Sequence, residues 1–280
     1  MKPKVRFVDN GAAGRVGALM GGLHSVCQSA HCPNRSECWS GGTATFMVLG
    51  DTCTRCCRFC SVKSGRPSAP DADEPAKLAE AVKALGLKYA VITSVTRNDL
   101  PDCGAGHFAA CVRALKKIPA LEVETLIPDF NCGRSAIAKL VDAGPDVVAH
   151  NLETVERLTP LVRDHRAGYR KSLQTLRIAR ELSGKLITKS GIMAGLGETD
   201  DEVVRAMADA RDAGVELFTI GQYLSPGKDA RFLPVKEYVT QDRFAAYERA
   251  GHELGFRHVA SGPLVRSSYK AGEAFSKCRS

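Results

Sequence analysis

The stretch Thr45-Phe46-Met47-Val48-Leu49-Gly50-Asp51-Thr52-Cys53-Thr54-Arg55-Cys56-Cys57-Arg58-Phe59-Cys60 decides the fold. Its first five residues, Thr45–Leu49, form a β-branched and apolar run of the length of a buried strand. Directly after it, Cys53, Cys57 and Cys60 make a C-x3-C-x2-C triplet on one loop. Sites in α/β folds gather at the C-terminal ends of strands, so this order predicts both an architecture and the place of its chemistry. The pattern then repeats. Further strands are expected at Tyr89–Thr93, Val123–Ile127, Val147–His150, Leu186–Ile192 and Leu217–Ile220. Helices are expected near Pro75–Leu85, His107–Lys117, Ser135–Ala143, Glu153–Leu161, Lys171–Leu182 and Asp201–Ala213. Six βα units in order predict an α/β fold, a partial and open (β/α)6 barrel rather than a closed eightfold one.

Outside this alternation lie two extensions, together expected to cover one end of the barrel. Residues 1–43 are rich in Gly, Ser, Cys and Asn without periodicity, an irregular segment that a metal cluster would have to hold. Residues 223–280 carry Pro226 and Pro234, a helix near Asp242–Leu254 and a tail, Val265–Tyr269, too polar for core. The expected division is therefore 1–43, 44–222 for the barrel, and 223–280 closing the site.

Three thiolates on one short loop suit a [4Fe–4S] cluster. A cubane normally takes four, and withholding one leaves an iron able to bind a ligand through amino and carboxylate groups. A structural zinc knuckle would want four ligands and paired C-x2-C spacings; Cys56 could supply one such pair with Cys53. A second triplet, Cys27-x4-Cys32-x5-Cys38, implies a second cluster, with zinc the alternative because His24 and His31 stand nearby. Cys103, Cys111, Cys132 and Cys278 have no ligand spacing and read as packing residues.

The chain has 280 residues, 11 cysteines and a formal charge of +8. It shows no run of like charge that would suggest a nucleic-acid arm, no apolar stretch of the ~20 residues that cross a bilayer, and no signal-peptide core. The expected setting is cytoplasmic, without nucleic acid or membrane, where reductants keep thiols available for ligation. The excess of Lys and Arg is either a solvated surface or a docking face for an acidic protein.

Several stretches resemble the lipoyl synthase family of radical S-adenosylmethionine (SAM) enzymes. They are Leu23–Cys27, Ala30–Asn34 and Glu37–Trp39 around the N-terminal triplet, Gly42–Met47 leading to the loop, Val91–Val95, Leu126–Phe130, Lys189–Gly191, Ile220–Leu224 and Arg266-Ser267-Ser268-Tyr269. The resemblance runs from about Leu23 to Tyr269. It departs at Asn98, where the family pattern leads one to expect Asp, at Cys103, where Gly is expected, and at Ala149, where Asn is usual. Those departures are expected to touch substrate-loop detail and not the cluster chemistry, with Cys56 a spectator.

The resemblance implies a transferase that inserts sulfur at C6 and C8 of a protein-bound octanoyl-lysine. Its cofactors would be two [4Fe–4S] clusters, with SAM as cosubstrate. Cys53, Cys57 and Cys60 would hold the cluster that cleaves SAM. Cys27, Cys32 and Cys38 would hold an auxiliary cluster that donates sulfur, with Ser268 as its fourth ligand. Thr93 and Ser94 would meet the methionine amino group, and Phe59 would lie beside the adenine. Glu198 belongs to the glycine-spaced stretch Gly191–Glu198 on the adenine side. Asn151 and Glu153 are candidates for the ribose hydroxyls, or else for helix capping; Lys189 and Arg266 could meet a carboxylate or be surface charges. Implied partners are an octanoylated carrier of the lipoyl-domain or glycine-cleavage H-protein type, an electron donor such as ferredoxin or flavodoxin, and a cluster-repair protein. Alternatives are a biotin-synthase-like or peptide-modifying radical enzyme, or a non-enzymatic iron–sulfur electron carrier.

Overall fold

A computed structural model describes residues 22–29, 32, 34–40 and 44–279. Expectations for residues 1–21, for His31 and for the remaining N-terminal positions lie outside the described residues. The described chain divides into two compact units, one holding the described residues between 22 and 55 together with Ser61–Val148, the other holding Cys56–Cys60 and residues 149–279.

In the unit of lower numbering, β1 (His24–Ser25) leads into α1 (Val26–Ser29), and α2 (Arg35–Ser40) precedes β2 (Thr45–Val48). β1 pairs antiparallel with β2, His24 facing Met47. The described part of the N-terminal segment is thus built from short elements, which corrects the expectation of an irregular stretch. β3 (Thr52–Cys53) and β4 (Lys63–Ser64) pair in parallel and bracket the cysteine loop. Then come α3 (Glu74–Ala84), β5 (Tyr89–Ser94), α4 (Ala105–Leu115), β6 (Glu122–Leu126), α5 (Arg134–Val141) and β7 (Val147–Ala149). β2, β5 and β6 are parallel neighbours in that order. The interior of β5, Ala90–Thr93, is buried on both faces, as expected of a parallel strand covered by helices. Pro75 in the first turn of α3 loses nothing, since its missing N–H would have had no helical partner.

The other unit continues with α6 (Thr159–Val162), α7 (Tyr169–Leu182), β8 (Ile187–Ala194), α8 (Asp200–Asp212), β9 (Leu217–Gln222), α9 (Gln241–Glu253), β10 (His258–Gly262) and α10 (Ala271–Arg279). β8, β9 and β10 run parallel. α7 buries Tyr169, Leu173, Leu176 and Ala179, the stripe of a one-faced helix. α8 starts on a capping box in which Thr199 and Glu202 satisfy each other's main-chain N–H.

The alternation is the expected α/β one. Two differences stand out. The helix expected over Glu153–Leu161 is replaced by a 3-10 turn, Glu156–Leu158, and α6. Glu153 cannot begin a helix because its main chain bonds as a strand would, its N–H to the Gly191 carbonyl and its carbonyl to the Met193 N–H. β10 is a further parallel strand beyond the six expected, with Val259 fully buried. The tail after β10, too polar for core, is half-buried: a side chain at Gly221 would strike the Val265 carbonyl, so the tail lies directly on β9. No described helix is long and apolar enough to cross a membrane.

Candidate functional site

The strand β2 reaches the cysteine loop through two residues of left-handed conformation, Leu49 (φ 69°) and Gly50 (φ 88°). For a leucine that conformation is costly, and three contacts hold it. The Leu49 N–H donates to Glu74 Oε2 at 2.9 Å and its carbonyl accepts from Arg97 Nη1 at 3.3 Å. Its side chain lies against Gly104, where any Cβ would collide with it. His107 Nε2 meets the same Glu74 oxygen at 2.6 Å. Glu74, His107 and Cys111 have ligand atoms within 4.8 Å of one another. Because Glu74 Oε2 is committed to two donors and burial pushes the Cys111 thiol far up, this trio reads as a clamp on Leu49.

Cys53 follows in β3. Its Sγ accepts from the Arg55 and Thr96 main-chain N–H groups, each at 3.4 Å. Thr54 is stitched to the same segment, donating N–H and Oγ1 to the Thr96 carbonyl and accepting the Asn98 N–H at 3.1 Å. The Arg55 guanidinium makes a buried fork with Asp129 at 2.7 and 2.8 Å. In the other unit, Cys57 Sγ accepts the Asp164 N–H at 3.3 Å, while the Asp164 carboxylate accepts the Cys56 N–H at 2.9 Å. The hydrogen bond from Arg166 holds the Asp164 carboxyl far below the ordinary range. Cys57 also accepts the Cys60 N–H on its carbonyl. Cys56 points to solvent, and Cys60 is half-buried. Hydrogen bonds to cluster sulfurs are a known lever on iron–sulfur centres, and main-chain N–H groups aimed at the sulfurs of Cys53 and Cys57 suit that use. The loop therefore fits a thiolate-held cluster.

The N-terminal triplet is held by main-chain turns. The Cys32 N–H reaches the Cys27 carbonyl at 3.2 Å, the Arg35 N–H the Cys32 carbonyl, and the Cys38 N–H the Asn34 carbonyl. Ser25 Oγ accepts the Cys27 N–H at 3.1 Å. Next to Cys38, the Trp39 ring is buried and its Nε1 donor has no hydrogen-bond partner among the described residues. Such a buried donor fits an acceptor supplied by a bound group. Ser268 lies in a half-buried turn after β10, where the Tyr269 N–H closes on the Arg266 carbonyl.

The expected SAM contacts fall into two kinds. Ser94 ends β5 and Asn151 follows β7; Ser94 Oγ and Asn151 Oδ1 are each buried without a hydrogen-bond partner among the described residues, the state expected of groups awaiting a polar ligand. Asn151 Nδ2 donates to Ser267 Oγ at 2.7 Å, tying it to the tail. Others are committed internally. Thr93 Oγ1 donates to the Leu126 carbonyl at 2.7 Å. Glu198 accepts the N–H groups of Gly195 and Leu196, closing the glycine turn. Glu153 caps no helix; it has φ 69° and its carboxyl is pushed up by burial. Lys189 is 2% exposed within β8, which rules out a surface charge, and Phe59 packs half-buried against the core that includes Ile192 and Phe218.

The Asn98 expectation needs correction. Its amide oxygen accepts from Arg55 Nε at 3.0 Å, so this position belongs to the bracing of the cysteine loop. Cys103 lies beside it, accepting from Asn131 Nδ2 at 3.3 Å. Sequence reasoning missed Asp129, Asp164, Glu74 and Arg97. The one available signal was Arg55 itself, a cation between two candidate ligands.

Comparison with known proteins adds the following. The Radical SAM superfamily profile matches residues 47–210. The chain is 59% identical over 255 residues to a lipoyl synthase of Anaeromyxobacter, covering 90% of this chain and 86% of that protein. It is 55% identical to a lipoyl synthase of Pyrobaculum calidifontis, covering 97% and 94%. Among solved structures, the FeFe-hydrogenase maturase HydG of Carboxydothermus hydrogenoformans superposes with a TM-score of 0.61 at 10% identity, covering 95% of this chain and 61% of that one. That likeness concerns the fold alone.

Proposed function

The chain belongs to the lipoyl synthase family of the Radical SAM superfamily, and from that premise we propose that it inserts sulfur at C6 and C8 of an octanoyl-lysine on a carrier protein. What carries the reading is the extent of the similarity. A match over 97% of the chain leaves out too few residues to omit the Cys27–Cys38 segment, so both triplets fall within it. A radical enzyme of another kind would share the loop and lack that segment, and an electron carrier would need no βα scaffold.

In this reading Cys53, Cys57 and Cys60 hold one [4Fe–4S] cluster, and Cys27, Cys32, Cys38 and Ser268 hold the auxiliary one, which is consumed as the sulfur substrate. The loop cluster, when bound, supplies the electron that splits SAM, so that hydrogen can be taken from an unactivated carbon. The chain's own groups orient and shield. The N–H groups of Arg55, Thr96 and Asp164 stabilise the thiolates of Cys53 and Cys57. Ser94 Oγ and Asn151 Oδ1 offer unused polar atoms to SAM. Phe59 gives an apolar wall for the adenine, and the half-buried tail keeps water from the reacting carbons. An oxygen ligand such as Ser268 is a poorer match to iron–sulfur than thiolate, and so the bond most readily released from a cluster meant to be dismantled.

The carrier would be of the lipoyl-domain or H-protein type, with a ferredoxin or flavodoxin as donor and a separate protein rebuilding the auxiliary cluster. A reducing, cytoplasmic compartment suits the thiols. Mass spectrometry of an octanoyl-lysyl peptide, incubated anaerobically with reconstituted protein, reductant and SAM, should show gain of two sulfurs. SAM cleavage without any sulfur gain would overturn the proposal.

A further inference from the structure

The long connection from β9 to α9, Tyr223–Thr240, holds neither helix nor strand. Loops beyond about 12–15 residues without such structure are uncommon and usually carry function. This one is a strap with fixed points. Leu233 and Val239 are buried in the core that also takes Ile220 and Phe244. Gln222 Nε2 donates to the Glu237 carbonyl at 2.9 Å, and its Oε1 accepts the Val239 N–H at 2.8 Å. Tyr223 Oη donates to the Leu233 carbonyl at 2.8 Å, and the Lys236 N–H to the Gly195 carbonyl at 2.9 Å.

The middle of the strap is bonded to the cysteine loop. The Leu233 N–H donates to the Arg58 carbonyl at 3.1 Å, and Arg58 Nε donates to the Arg231 carbonyl at 3.3 Å. Arg58 lies between Cys57 and Cys60. Whatever rests on the strap is therefore held beside that loop.

With Leu233 and Val239 turned inward, the outer edge is basic. Lys228 and Lys236 are exposed, and Arg58 and Arg231 half-buried. Among the described residues no carboxylate pairs with Arg58, Lys228 or Lys236. The Arg231 guanidinium stands over the Phe232 ring, 4.4 Å from its centroid, which orients it without neutralising it. Two acids share the strap, and each is occupied. Asp229 Oδ1 accepts the Arg231 N–H at 2.9 Å, while its other oxygen is 4.0 Å from Arg231 Nε, a weak surface pair. Glu237 is taken by Arg243 at 2.6 Å. Free cations beside a reacting loop attract and orient a complementary surface. The acids among them suit a protein, whose charges form a pattern, better than a uniform polyanion.

We propose that this basic edge, Lys228, Arg231 and Lys236 with Arg58 beside them, receives the carrier protein through an acidic surface next to its octanoyl-lysine. This rests on the reading that the chain acts on a carrier-bound octanoyl group, and it names the face that recognises the protein part of that substrate.

The test uses the reconstituted full chain as parent, K228E/R231E, and a control, R177E/R205E, which reverses two exposed cations on α7 and α8 and changes net charge equally. Anaerobic calorimetry gives the dissociation constant for an octanoylated lipoyl domain. Mass spectrometry follows sulfur insertion into a neutral octanoyl-lysyl peptide. K228E/R231E should weaken domain binding severalfold at low salt, with the gap to the parent closing as salt rises. It should thiolate the peptide at the parent rate, and the control should bind the domain as the parent does. Parent-like binding by K228E/R231E overturns the proposal. Equal weakening in both variants does so too, since net charge alone would then explain the attraction. Loss on the peptide as well as the domain also overturns it, because the strap would then be holding the loop and not receiving a carrier. A parent that binds the domain through the strap yet never thiolates the peptide would sink the sulfur-insertion reading and leave the docking surface standing.

Discussion

The two cysteine triplets are held by different physics. In the loop, the turns that bear Cys53 and Cys57 are fixed by groups from distant parts of the chain. Arg55 reaches Asp129, Thr54 reaches Thr96 and Asn98, and Asp164 holds Cys56 and Cys57. In the N-terminal segment, Cys27 lies on a helix of 4 residues and Cys38 on one of 6, and main-chain hydrogen bonds join near neighbours, the Cys32 N–H to the Cys27 carbonyl and the Cys38 N–H to the Asn34 carbonyl. Helices that short have no stability of their own. On the proposed assignment, the loop that is to survive every turnover is the one braced from distant parts of the fold, and the segment whose sulfur is to be spent is the comparison that tests whether such bracing matters.

The largest expected effect tests that division of labour. Replacing Cys53, Cys57 or Cys60 by Ala should abolish 5′-deoxyadenosine formation. Replacing Cys27, Cys32 or Cys38 should leave SAM cleavage measurable and remove thiolated product. Quantifying both products by chromatography separates the outcomes, and lipoyl product from an N-terminal variant would break the comparison.

A smaller effect compares the two arginines. Arg55→Ala leaves Asp129 buried without its cation, which costs about 3–5 kcal/mol when one partner of a buried pair is removed. Arg35 lies exposed over the Trp39 ring, 5.6 Å from its centroid, an interaction of about 0.5–1 kcal/mol at such sites. Denaturant unfolding of cluster-free protein should show a large loss for Arg55→Ala and a marginal one for Arg35→Ala. Similar losses would mean that the loop is no better preorganised than the N-terminal segment.

What was legible in the sequence follows the same line. Strands β2, β5, β6, β8 and β9 announce themselves because apolar period and length are local signals. The triplets announce themselves by spacing. The N-terminal elements stayed hidden because α1 and α2 are too short to show a period, and β10 because His258-Val259-Ala260-Ser261-Gly262 buries so few apolar side chains. The bracing of the loop was beyond reach for a different reason. Arg55 meets its partners at separations of 43 and 74 residues, and no local pattern encodes such a pair. Asn98 consequently stands out in the sequence only as a departure from the family pattern, although its place in the fold is against the loop.

The smallest effect concerns one hydroxyl on each side. Thr54 Oγ1 donates to the Thr96 carbonyl at 2.9 Å and accepts from the Asn98 N–H, whereas Ser25 Oγ accepts the Cys27 N–H alone. Loss of a hydroxyl in such a local role costs about 1 kcal/mol, so stability alone barely distinguishes them. Hydrogen exchange in cluster-free protein does. Thr54→Ala should speed exchange at the Asn98 amide only, because the Thr54 N–H to Thr96 bond and the Arg55 fork remain. Ser25→Ala should speed exchange at Cys27 and onward through Cys32, since each turn there starts from the one before. Confinement of the Ser25→Ala effect to Cys27 would show that the N-terminal turns stand independently, and the contrast between a braced and a bound site would have to be given up.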